Sequence, residues 1–186
     1  MVKRLFILSV VVALGAGCAI RNQKNAIRDA RFGVAVAGVG LKAADNAATE
    51  YFENYPADDT EKYCQGEIAL RVLETIRLSL LAGENGIKLW ETAIAIYASK
   101  KAAHEESDTD WTVLLDAQSQ WRILLADIVS EFNFLRTFLE LAGVKLPEPV
   151  AYAWNFLNGM AGGTVEEATI DWGSLGVCEQ YLKGGE

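Results

Sequence analysis

The sequence predicts an all-α protein: an antiparallel bundle of three or four long helices, followed by a short C-terminal helix and an irregular tail. Three observations predict it. Apolar residues recur in alternating steps of three and four, sustained for about four heptads at a time, which lines one seam of a helix that packs side by side with others. Only three prolines occur in 186 residues, Pro56, Pro147 and Pro149, and all stand where those ladders stop. Hydrophobic residues make up 51% of the chain, with alanine prominent, a composition that can close a core and does not read as disordered.

The first ladder runs Ile27, Ala30, Val34, Ala37, Leu41, Ala44, Ala48, Tyr51 and Tyr55. One edge of its seam is Ala30, Ala37 and Ala44, with Gly33 and Gly40 beside it. Small side chains let a neighbouring backbone approach closely, at a propensity cost of about 0.5–1 kcal/mol per glycine. The segment Asn54 to Asp59, with Pro56 inside it, predicts a turn. Asp58 or Asp59 would then cap the next helix.

The second ladder runs Leu73, Ile76, Leu80, Gly83, Ile87, Trp90, Ile94 and Tyr97. Gly83-Glu84-Asn85-Gly86 lies inside it and has the composition of a turn. The three-four register passes through without slipping, which favours one helix over residues 58–104. Read as a break, the same residues give two shorter helices and a four-helix bundle. One helix would be about 70 Å long against about 55 Å for residues 19–55, a mismatch that counts against continuity.

Glu105 to Asp108 forms the second predicted turn, with Ser107 or Asp108 capping a third ladder: Trp111, Leu114, Gln118, Trp121, Leu125, Ile128, Phe132, Leu135, Leu139 and Ala142. Gly143 closes that helix as a glycine C-cap, and Pro147 follows. Residues 148–161 read as a short apolar helix folding over the open end of the bundle, and residues 162–186 as irregular. With three helices running up, down and up, Cys64 near the start of the second helix lies where the chain emerges after Gly143.

The N-terminus has a different character. Lys3 and Arg4 precede an apolar run from Leu5 to Leu14, and Gly15-Ala16-Gly17 leads into Cys18. This is the pattern of a secretory signal, with an apolar run shorter than the ~20 residues of a membrane span. Its last residues resemble the bacterial lipobox, although Gly15 stands where leucine is commonest. The resemblance implies removal of residues 1–17, lipidation of Cys18, and a mature domain of residues 18–186 tied to a membrane. A residue other than aspartate after the cysteine, here Ala19, implies the outer membrane, facing the periplasm. Ordinary signal cleavage after Gly17 or Ala19 is the alternative.

Loss of Lys3 and Arg4 with the leader takes the formal charge from −8 to −10. Such a balance argues against nucleic acid, whose phosphates require clustered Lys and Arg, and against adhesion to anionic headgroups. In an exported chain the two remaining cysteines, Cys64 and Cys178, are expected to form a disulfide.

No residue pattern argues for catalysis, a cofactor or a metal. Gly38-Val39-Gly40-Leu41-Lys42-Ala43 matches G-x-G-x-x-A, but no strand–helix alternation accompanies it and the same residues fit the helical seam. His104 is the only histidine, and residue 101 is Lys, so the Glu-x-x-His pairs of metal-binding bundles are absent; His104 reads as a solvated turn residue. The third helix offers more, because its apolar residues cover more than one stripe. Trp121, Val129, Phe134 and Phe138 are therefore a candidate interaction face, for a partner or for self-association, unless the segment after Pro149 covers them. Gln118 within that seam is a candidate for fixing register.

The expected function is that of a lipid-anchored, non-catalytic structural or interaction subunit on the periplasmic face of an envelope membrane. A second expectation is an exported bundle that holds an apolar small molecule, lined by Trp90, Trp121 and Phe132. A third is a lipoprotein supplied by a phage or mobile element to block a receptor.

Overall fold

The computed structural model describes residues 2–54 and 60–163, with the side chains of residues 20–54 and 62–163. It contains four helices: α1 (Val2–Glu53), α2 (Thr60–Ala102), α3 (Asp108–Leu141) and α4 (Glu148–Met160). No strand occurs among the described residues, so the all-α expectation is met. α2 is one helix through Gly83-Glu84-Asn85-Gly86. Its 43 residues span about 64 Å. In the full chain α1 begins at Val2, so residues 2–18 extend the helix that carries the first ladder. Tyr55, the predicted turn after it and the tail beyond residue 163 lie outside the described residues.

The seams read from the sequence are the buried ones. Ile27, Ala30, Val34, Ala37, Leu41, Ala44 and Ala48 are buried on α1. So are Leu73, Ile76, Leu80, Ile87, Trp90 and Ile94 on α2. On α3, Leu114, Trp121, Leu125, Ile128, Phe132, Leu135 and Leu139 are buried.

The chain divides into two compact units, through which the three long helices pass in turn. The first contains Met1–Phe32 and Glu84–Trp121. Here Tyr97 meets Trp111 at 5.1 Å between ring centroids, and Lys100 pairs with Asp110, so α2 and α3 run antiparallel. His104, at φ 57°, ends α2 in the left-handed region: Glu105 N–H donates to the Lys100 carbonyl at 2.9 Å and His104 N–H to that of Lys101 at 3.2 Å. Ser107 is the cap of α3. Its Oγ accepts from the Asp110 N–H at 3.3 Å while Asp110 Oδ2 accepts from the Ser107 N–H at 3.0 Å, a reciprocal capping box. Gln118 does join the helices. Its Oε1 accepts from Gln23 Nε2 at 3.0 Å, and Gln23 Oε1 accepts from the Trp90 indole at 2.9 Å, linking α1, α2 and α3.

The second unit contains Gly33–Gly83 and Arg122–Glu186. α1 and α2 run antiparallel in it, with Arg77 opposite Asp45 and Gly66 against Phe52. α4 does not fold over an open end. It lies along α1, with Ala153 and Pro149 at Gly40, and Met160 and Phe156 at Gly33. A Cβ at Gly40 would stand 2.4 Å from the Cβ of Ala153, so the bare glycine sets how closely the two helices approach. α4 buries Val150, Ala153 and Leu157 against this groove.

Candidate functional site

The polar centre of the second unit forms where α3 ends. Gly143, at φ +88°, terminates α3 as the sequence predicts, and the Val144 N–H donates to the Leu139 carbonyl at 2.8 Å. The Ala142 carbonyl beside it accepts from the Tyr51 hydroxyl at 2.8 Å and from Lys62 Nζ at 2.9 Å. The ammonium also donates to Gln65 Oε1 at 3.1 Å and the Tyr51 hydroxyl at 3.2 Å, and lies 5.2 Å from the Tyr51 ring centroid. One lysine thus ties the start of α2 to the ends of α1 and α3, with its charge turned inward.

A cleft of about 330 Å³ opens beside this centre between α1 and α2. Ala48, Phe52, Gly66 and Ala69 line its apolar interior, and Tyr63 and Leu70 continue it towards solvent. Its depth depends on Gly66, where a Cβ would stand 3.3 Å from Phe52 Cγ. Thr49, Glu53 and Glu67 are the polar residues of the lining, apart from Lys62. Neither carboxylate has an ion-pair partner among the described residues, whereas Lys62 is engaged. Lys62 keeps its charge because these acceptors are neutral, so among the described lining residues two carboxylates stand against one ammonium, and the cleft is apolar within with one net negative charge at its polar groups.

A second, shallower cleft of about 440 Å³ lies between α2 and α3 of the same unit. Glu131 Oε1 accepts from the Ser79 hydroxyl at 2.9 Å in it, and Oε2 is buried with no hydrogen-bond partner. Burial pushes the Glu131 carboxyl above the ordinary glutamate range. The Ser79 hydrogen bond opposes that shift, and Asp127, also in the lining, adds to it.

The residues singled out by sequence fall elsewhere. Trp121, Val129 and Phe138 are buried and Phe134 is half-buried, stacked on Phe138 at 6.3 Å between centroids. They do not form an exposed interaction face. The width of the α3 apolar surface is explained by burial in the chain, and in the second unit α4 supplies part of the cover: its Trp154 ring lies 4.4 Å from the Arg136 guanidinium. Trp90, Trp121 and Phe132 are also buried in packing, and none lines either cleft. Cys64 is buried and disulfide-bonded. Its expected partner Cys178 and the side chain of Cys18 lie outside the described residues. Sequence reasoning missed the Phe52–Gly66 cleft and Gln23, whose signals were a glycine outside the seam and one polar residue among many.

Among the described residues no His, Cys, Asp or Glu group of three or more is placed to hold a metal ion, and no helix is long and apolar enough to cross a membrane. Comparisons with protein-family models, with curated proteins and with solved structures find no match to this chain.

Proposed function

We propose that this chain is a non-catalytic interaction subunit, anchored through a lipid on Cys18 to the periplasmic face of an envelope membrane, the outer one by the identity of Ala19. The observation that carries the interaction part is a row of apolar side chains on the solvent side of α2. Tyr63, Leu70, Leu78 and Leu81 are each more than half exposed. At 3.6 residues per turn they fall on one side of the helix, while Ile68, Leu73, Ile76 and Leu80 are buried on the other. Single exposed leucines are ordinary; a row on one helix face is the feature that marks interaction surfaces. The anchor rests on the lipobox resemblance at residues 14–18.

The test joins mass with crosslinking in the native membrane. The expected mass is that of residues 18–186 plus acyl groups, and a photocrosslinker at position 78 should give one discrete adduct, absent when Leu70 and Leu81 are changed to glutamate. An unmodified mass starting elsewhere removes the anchor. An adduct that survives both substitutions removes the α2 face.

A second reading, an exported module for an apolar small molecule, is favoured by the cleft between α1 and α2. The lining is then Phe52, Gly66 and Leu70 in place of Trp90, Trp121 and Phe132.

A further inference from the structure

We propose that the α1–α2 cleft of the second unit binds a small organic cation: a compact apolar body carrying one ammonium group. This rests on the second reading above and adds to it the charge of the ligand. The interior fits an apolar body, being formed by Ala48, Ala69 and the Phe52 ring over Gly66. Its volume of about 330 Å³ lies at the small end of ligand sites, which limits the guest to one ring or a short chain. Both walls are helical, so the shape exists before a ligand arrives and little ordering cost falls on binding.

The polar groups decide the sign of charge. Among the described residues of the lining, three carry full charges: Lys62, Glu53 and Glu67. Lys62 donates to Gln65 Oε1, the Tyr51 hydroxyl and the Ala142 carbonyl, which uses all three of its hydrogens. It is held in the protein and does not offer a donor to a guest. Glu53 is exposed and Glu67 half-buried, and neither has an ion-pair partner among the described residues. Thr49 adds a hydroxyl. An anionic guest would meet two carboxylates, with only neutral hydroxyls and an ammonium already engaged by the protein to offset them. An ammonium would gain a charge-assisted hydrogen bond to either carboxylate beside an apolar surface that excludes water. The chain's net charge of −8 favours the approach of a cation as well.

The experiment titrates the full chain with phenethylammonium and with phenethyl alcohol, its neutral counterpart, by calorimetry. The expected result is saturable one-to-one binding, at least tenfold tighter for the ammonium. That preference should vanish in the Glu53→Gln/Glu67→Gln double variant, which alters only surface carboxylates and leaves the interior intact. Thr49→Trp, an exposed position that fills the cleft, should abolish binding of both probes with the helical signal unchanged. Equal affinity for the two probes overturns the inference and leaves the second reading standing. Absence of saturable binding by either probe, or binding unaffected by Thr49→Trp, overturns both.

Discussion

Three side chains set opposing demands on stability at the residue scale. His104 occupies the left-handed C-terminal position of α2, where an L side chain costs about 1 kcal/mol that glycine does not. Nothing in the hydrogen bonds around it requires the imidazole, because the bonds that close the turn are backbone ones. His104→Gly is expected to raise stability by about 1 kcal/mol, a Tm increase of roughly 2–4 °C at this size, and a calorimetric scan checks it. Glu131 and Asp110 respond to pH with opposite signs. Burial raises the folded-state pKa of Glu131, so the unfolded carboxyl gives up its proton first and the folded state binds more protons between the two values. Stability then falls as pH rises through that window. Glu131→Gln should be more stable than the parent near neutrality and converge on it in acid. For Asp110 the hydrogen bond from Lys100, then that from Ser107, lowers the folded-state value. Its contribution is present above the ordinary aspartate range and is lost as pH falls through the folded value. Asp110→Asn should therefore be less stable near neutrality and approach the parent only in strong acid. Denaturant midpoints followed from acid to neutral pH test both; a constant offset for either variant removes the corresponding argument.

At the scale of elements, the contact between α1 and α4 depends on one atom that glycine lacks. A Cβ at Gly40 would meet the Cβ of Ala153 at 2.4 Å and the backbone oxygen of Pro149 at 3.2 Å, and neither can rotate away. Gly38, one turn-fraction earlier, has nothing within 4 Å of such a Cβ. Alanine improves helix propensity by about 1 kcal/mol at both positions. At Gly38 that gain stands alone, so Gly38→Ala should stabilise. At Gly40 an overpacking cost of about 1–3 kcal/mol opposes it, and Gly40→Ala should destabilise by about 1 kcal/mol. Equal shifts at the two sites in urea unfolding would mean that α4 does not pack on α1 as described. The same residues explain what was legible in the sequence. Three-four periodicity found the seams because each seam residue is repeated down a helix, and Ser107 and Gly143 were legible because caps use few residue types. The small-residue edge of α1 announced a close neighbour, but nothing local in residues 148–161 said that α4 would lie along Gly33 and Gly40. Likewise the breadth of the α3 apolar surface is one signal with two causes, burial on two sides or an exposed face. Only the placement of Trp121, Val129 and Phe138 separates them. The α1–α2 cleft was not legible, because it is made by Phe52 and Gly66 meeting across two helices, and neither belongs to a periodic pattern.

At the scale of the whole molecule, the strongest remaining constraint is covalent. Cys64 is disulfide-bonded and sits two residues from Lys62, whose ammonium holds the carbonyl at the end of α3. This is the placement expected from an up-down-up order of helices. The chain has three cysteines, and under the proposed lipidation of Cys18 the partner left for Cys64 is Cys178. Reach permits the bond. Fourteen residues lie between Gly163 and Cys178, and a fully extended chain over those fifteen steps covers up to about 50 Å. The return runs along α1 from the level of Gly33, where α4 ends, to that of Phe52, which packs on Gly66 beside Cys64, and is about 30 Å. A bridge between positions 64 and 178 would close a loop of more than a hundred residues, for which constraint of the unfolded chain corresponds to about 4–5 kcal/mol. Cys178→Ser is therefore expected to lower Tm well beyond the effect of any surface substitution above, and reductant should lower the parent to a similar value. Peptide mapping without reduction should recover residues 64 and 178 in one linked fragment. A fragment linking Cys64 to Cys18 would overturn this pairing and the lipid anchor together, because a single sulfur cannot carry both a thioether and a disulfide.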